Sequence, residues 1–222
     1  MEITWYGHSC FRLAEHGMAT VVCDPFDAEM VGYGPLKLKA DIVTSSHDAP
    51  GHNYLSAVKG YSHAITGPGE FEIGSVFITG VQMDGQGKKA EEIPRNTLYV
   101  FDYMGITVAH LGDMRSVQPQ NEIESLGTVH IVLVPVGGGS GLNAAKAAEI
   151  VSLLEPNIVI PMHYATPATK VPLDRLDKFL KEMGMHEAET VQSLKVTKTS
   201  LPDETKLVVL DYQRELGMLP CL

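Results

Sequence analysis

The sequence predicts a sandwich of β-sheets covered by helices, in the α/β or α+β range, folded as one domain over residues 1–222. Three observations carry this expectation. The first half is dense in short β-branched and aromatic runs. The second half alternates buried-type strands with amphipathic helical stretches. No low-complexity tract or Pro/Gly/Ser-rich linker separates the two.

In chain order, strands are expected at Ile3–Tyr6, Phe11–Leu13, Thr20–Cys23, Ile42–Ser45, Phe71–Ile73, Val76–Ile78 and Thr97–Phe101. Gly17, Asp24-Pro25, Gly67-Pro68-Gly69, Gly74 and Gly105 punctuate them, a spacing that suits hairpins and meanders. Thr107–His110 and Ile131–Pro135 follow as buried strands ending in loops. Asn143–Leu154 reads as a helix with Ala144, Ala147, Ala148 and Val151 on one face. Ile158–Pro161 is the next strand, Leu173–Met183 a helix turning Leu176, Phe179 and Leu180 inward, and Lys206–Asp211 a last strand.

Composition narrows the function classes. The chain is 44% hydrophobic and 20% charged, ordinary for a soluble globular protein. No apolar run approaches the roughly 18 residues that span a bilayer, and Met1–Tyr6 lacks the basic start of a secretory signal. Membrane association is therefore not expected, and the cytoplasm is the default compartment. Cys10, Cys23 and Cys221 have no paired spacing and read as reduced thiols, with Cys10 and Cys23 in the core. With 17 basic against 27 acidic residues and a net charge of −10, nothing favours nucleic-acid binding; Lys88-Lys89 and Arg95 read as a solvated loop.

Polar clusters fall where these strands end: His8, then His47/Asp48/His52, then His110 and Asp113, then His163. Strand-end loops converge on one rim of such a fold, where ligands gather. Imidazoles and a carboxylate brought to about 2.0–2.2 Å of an ion make a metal site. The segment Ser46–Asn53 has the outline of a His-x-His-x-Asp-His loop, with histidines at 47 and 52 but Ala49 and Gly51 between them.

Taken together, Trp5–Phe11, Asp24-Pro25-Phe26, Ser46-His47 with His52-Asn53, Gly67–Glu70, His110–Asp113, Val134–Gly138 and Ile160–Tyr164 resemble the metallo-β-lactamase superfamily. The nearest branch is its small metal-dependent hydrolases, similar to ascorbate-6-phosphate lactonase. The resemblance implies an αββα sandwich of two mixed sheets flanked by helices, with a two-metal site at one edge and a metal-held hydroxide attacking a carbonyl or phosphoryl centre. Carried over by position, it implies His47, His52, Asp113 and His163 as metal ligands, with Asp113 and His163 catalytic. Three implied donors are missing: Ala49, Gly51, and a histidine expected within Met83-Asp84-Gly85-Gln86.

What remains on the resemblance is a reduced site, His52, Asp113 and His163 holding one divalent ion (zinc, manganese or iron), with His47 nearby. Asp48 and Asp84 are auxiliary oxygen donors in this reading, each equally readable as a loop residue. His8 and His110 are auxiliary too, read as supporting the pocket rather than binding the ion. His16, His63, His130 and His186 read as surface or structural. Gly137–Gly141 lacks the Lys-Ser/Thr of a phosphate loop and reads as a tight turn.

Two functions follow. One is a divergent hydrolase of a small ester, lactone or phosphate-bearing substrate. The other is a non-catalytic module, holding one metal or none, that keeps the fold for binding or assembly. Retention of Asp113 and His163 puts the enzyme reading ahead. Metal-free acid/base chemistry by His163 and Asp113 has no positive support in the sequence. Homo-oligomers are expected by analogy, with the apolar tail Leu216–Leu222 a possible contact segment.

Overall fold

The computed structural model describes residues 1–83 and 95–213. The expectations placed on Asp84–Gln86, Lys88-Lys89, Cys221 and the tail lie outside the described residues. The first half runs β1 (Glu2–Gly7), β2 (Cys10–Ala14), β3 (Val21–Cys23), α1 (Ala28–Val31), β4 (Leu38–Lys39), β5 (Ile42–Thr44), β6 (Val58–Lys59), β7 (His63–Ile65), β8 (Gly69–Ile73) and β9 (Val76–Met83). The second runs β10 (Asn96–Tyr103), β11 (Ile106–His110), α2 (Gln120–Glu124), β12 (Ile131–Pro135), α3 (Ala144–Leu154), β13 (Ile158–Met162), α4 (Leu176–Glu182), β14 (Glu189–Val191), β15 (Leu194–Lys195) and β16 (Lys206–Leu210).

These strands form two large mixed sheets. One has the order β15-β1-β2-β3-β5-β7, the other β14-β16-β13-β12-β11-β10-β9-β8. Their facing sides share one apolar core, with Ile3, Trp5, Phe11 and Leu13 of the first sheet against Ile78, Leu98, Phe101 and Val108 of the second. Every residue of β3 is buried because its two faces are both covered. Val21 and Cys23 point into the shared core, while Val22 joins a second cluster with Cys10, Phe26, Val31 and Val43 on the other side. That two-sided burial is why the run reads as continuously apolar rather than alternating.

α3 begins at Asn143, whose side chain accepts from the Lys146 amide at 3.0 Å and caps a helix that buries Ala144, Ala147, Ile150 and Val151. The inward face thus takes Ile150, while Ala148 is only partly buried. α4 starts at Leu176, not Leu173, because the backbone of Asp174 is already committed. Its amide donates to Gly137 at 2.7 Å and its carbonyl accepts from Ala165 at 2.8 Å.

The topology positions the site. β1 and β3 flank the antiparallel β2 and so run the same way, and β5 pairs parallel with β3. In the other sheet β11, β12 and β13 are parallel neighbours. The residues that follow these strands, His8, Asp24, Ser46-His47, Asp113 and His163, are therefore delivered to one rim. Among the described residues, no helix is long and apolar enough to cross a membrane.

Candidate metal centre

Hydrogen bonds within and between the two sheets hold the rim loops. The His163 amide donates to the His8 carbonyl at 3.0 Å, and Trp5 Nε1 donates to the same oxygen at 3.1 Å. Asn96 donates through Nδ2 to the Leu111 carbonyl at 3.0 Å and accepts through Oδ1 from the Asp113 amide at 2.9 Å. The Thr97 amide donates to Ser46 at 2.7 Å. Three rim residues, His8, Asp24 and His163, have left-handed backbone angles with φ of 50°, 45° and 53°. Such conformations cost about 1–3 kcal/mol each in non-glycine residues, and their grouping here marks a functional site.

Asp24 organises the histidine loop. Its Oδ1 accepts from the Ser46 amide at 2.7 Å, and its Oδ2 accepts from Ser46 Oγ at 2.6 Å and His52 Nδ1 at 2.7 Å. A carboxylate only accepts, so His52 carries its proton on Nδ1 and presents a bare Nε2. Ser46 has spent its proton on Asp24 and so accepts from His47 Nδ1 at 3.1 Å, leaving His47 Nε2 bare as well. Burial alone would push the Asp24 carboxyl up, but His110, His52 and Ser46 together bring it down to about 2.

His8, His52 and His163 form the centre. All three are buried, and their ligand-competent atoms lie within 4.8 Å of one another. Burial lowers the pKa of His8 well below its ordinary value, with the neighbouring histidines adding to the effect; burial likewise brings His163 down to about 4. The His8 and His163 imidazoles are neutral at pH 7, the state in which they donate to a metal. His8 Nδ1, His163 Nδ1 and Asp113 Oδ1 are buried with no hydrogen-bond partner. Orphaned polar atoms in a cluster of three buried imidazoles fit a borderline cation such as zinc.

His8 thus stands in the donor cluster rather than behind it. A Cβ at Gly51 would come within 2.7 Å of His8 Nε2, so His8 fills the space that a side chain at position 51 would need. Asp113 lies alongside, its Oδ1 at 4.0 Å from His163 Nε2. Its Oδ2 accepts from Ser140 Oγ at 2.8 Å and Arg115 at 3.3 Å, with His47 Nε2 at 4.0 Å. A Cβ at Gly141 would meet Oδ1 at 2.6 Å, so glycine there lets the carboxylate pass under the turn.

The remaining expected residues fall elsewhere. His47 packs against His52 with ring centroids 4.2 Å apart but faces Asp113 rather than the three-histidine cluster. Asp48 is exposed and accepts from Asn53, bracing the loop instead of supplying an oxygen. His110 is consumed internally, with Nε2 on the Ser9 carbonyl at 2.8 Å and Nδ1 accepting from the Gly112 amide at 3.2 Å. Asp84 lies outside the described residues. The Gly137–Gly141 turn is closed by bonds between Gly138 and both Leu142 and Gly141, and it delivers Ser140 to Asp113. Asp24, Asn96, Arg115 and Ser140 were not singled out as site residues from the sequence. The only signal was placement, Asp24 before Pro25 at a strand end and Arg115 two residues beyond Asp113.

The centre opens into a cavity of about 380 Å³. Met30, Val31, Pro50, Val171, Pro172 and Leu173 form its apolar wall, and the histidines, Asp113, Arg115 and Ser140 its polar floor.

Residues 2–163 match the model of the beta-lactamase superfamily domain. The chain belongs to the metallo-β-lactamase superfamily. Among relatives, a UPF0173 protein of Pyrococcus furiosus is 29% identical over 203 residues, covering 82% of this chain and 90% of that one. A UPF0173 metal-dependent hydrolase of Thermoplasma acidophilum is 27% identical over 191 residues, covering 75% and 84%. Among solved structures, a Thermotoga maritima protein described as a candidate Zn-dependent hydrolase of the metallo-β-lactamase superfamily superposes with a TM-score of 0.78 at 37% identity. That alignment covers 96% of this chain and 99% of the other. The αββα arrangement implied by the sequence motifs is the fold of these metallo-β-lactamase relatives.

Proposed function

We propose that this metallo-β-lactamase-fold chain is a metal-dependent hydrolase working with a single divalent ion. The observation that carries the reading is the convergence of buried His8, His52 and His163 beside the unpartnered Asp113 Oδ1, at the floor of a small-molecule-sized cavity. The relatives described as metal-dependent or Zn-dependent hydrolases support it. When bound, the ion would lower the pKa of a water toward about 7 and polarise a carbonyl or phosphoryl oxygen.

The chain's own residues do the rest. Asp24 fixes the His52 tautomer so that Nε2 is always the donor. Asp113 Oδ1 accepts a hydrogen bond from the attacking water and orients it. His47 offers a second acceptor through Nε2; burial brings its pKa down to about 4, so it is a bare base at neutral pH. The apolar wall excludes bulk water from the reacting bond. The substrate in this reading is a small ester, lactone or phosphate-bearing molecule.

The test is turnover after removal of metal by a chelator and reloading with zinc, manganese or iron(II). The panel is an aryl acetate, a γ-lactone and an aryl phosphate. Hydrolysis of at least one, present only in a reloaded form, is the expected result. No turnover in any reloaded form favours the non-catalytic binding module.

A further inference from the structure

The two oxygens of Asp113 face different surroundings. Oδ1 is buried and unpartnered on the His163 side. On the other side Oδ2 and His47 Nε2, both electron-rich, stand 4.0 Å apart with the Arg115 guanidinium at 3.3 Å from the oxygen. A guanidinium carries a fixed positive charge. Its side chain is 26% exposed and lines the cavity floor beside Ser140. A second divalent ion on this side would meet that guanidinium and, with Ala49 carrying no donor, would have few ligands.

We propose that Arg115 supplies the site's second positive charge in place of a second ion and selects compact apolar substrates bearing an oxyanion group. This rests on the one-ion reading above. Asp24 behind His52 and Asp113 in the floor, against one guanidinium, give the site a formal charge of −1, which a divalent ion converts to +1. A monoanion is the complementary ligand. The chain as a whole carries −10, so its net charge draws no anion and the attraction must be local. The guanidinium fork matches a phosphate or carboxylate. The apolar wall accommodates the rest of the molecule.

The probe is inorganic phosphate, titrated by calorimetry into zinc-loaded wild type, Arg115→Gln and Arg115→Lys, with zinc per chain measured on each sample. The expected result is one zinc in the wild type and at least tenfold weaker phosphate binding in Arg115→Gln, with much of the affinity regained in Arg115→Lys. Phosphate that binds Arg115→Gln as tightly as wild type, or does not bind wild type, overturns the proposal, as do two zinc ions per wild-type chain. If Arg115→Gln also loses zinc, Arg115→Lys decides. Retained zinc with regained phosphate binding supports the proposal, and retained zinc without it overturns it. Zinc missing from the wild type defeats the one-ion reading itself, which the zinc measurement registers separately from phosphate affinity.

Discussion

Asp24→Asn is expected to lower the melting temperature by on the order of 10 °C and to release the metal ion. The Asp24 side chain is fully buried and accepts three hydrogen bonds, from the Ser46 amide, Ser46 Oγ and His52 Nδ1. An asparagine of the same shape has one oxygen and one NH₂ group, so at least one of the three donors would meet another donor. Breaking a buried charged network by changing one member costs about 3–5 kcal/mol. For a chain of this length each kcal/mol shifts the melting point by about 2–4 °C. Without its partner His52 can change tautomer, and the bare Nε2 that faces His8 and His163 is no longer guaranteed. Scanning calorimetry together with metal analysis checks both effects, and an unchanged melting point with full metal content would contradict this role.

The second large effect concerns the pair Gly51 and His8. Gly51→Asp alone is expected to weaken metal binding at least tenfold, because its Cβ would stand 2.7 Å from His8 Nε2. His8 cannot swing away freely. Its ring lies 4.1 Å from that of His163, 5.0 Å from that of His52 and 6.5 Å from that of Phe26, centroid to centroid. His8→Ala alone removes a donor and is expected to weaken binding to a similar degree. The combined Gly51→Asp/His8→Ala protein has both the space and a carboxylate to fill it, so its affinity should exceed that of either single variant. Competition with a calibrated chelator reads all four proteins. Additive losses in the double variant would show that the two positions do not share one slot.

Much of this architecture is legible in the sequence, and the gaps have physical causes. Runs such as Ile131–Pro135 and Ile158–Met162 stand out because both faces are buried and every residue is apolar or proline-interrupted. β9 extends to Met83, well past Ile78: Gly80 is buried like Val76 and Ile78 but has no side chain to signal it, and the alternation breaks at the exposed Gln82 before the buried Met83. α1 has four residues, too few for any helical period to register. β14 and β15 are short, largely exposed edge strands whose sequences carry no apolar signal.

At the centre, His47, His52, Asp113 and His163 are legible through the motifs that resemble the superfamily. His8 is not, because its entry into the donor cluster depends on an absence 43 residues away, the missing side chain of Gly51. Asp24 bonds His52 across the fold, and Arg115 bonds Asp113. Nothing in their local sequence distinguishes such partners from ordinary surface or turn residues until the strands bring them together.

The chemistry of this site depends on the ion, so the most direct measurement is metal per chain by elemental mass spectrometry. The protein should be purified without tag-metal contact or chelator, and His163→Ala prepared in parallel. About one equivalent in the wild type, absent from His163→Ala, is the predicted result. No bound metal after incubation with zinc, manganese and iron(II), or metal that persists undiminished in His163→Ala, would contradict a centre built on His8, His52 and His163.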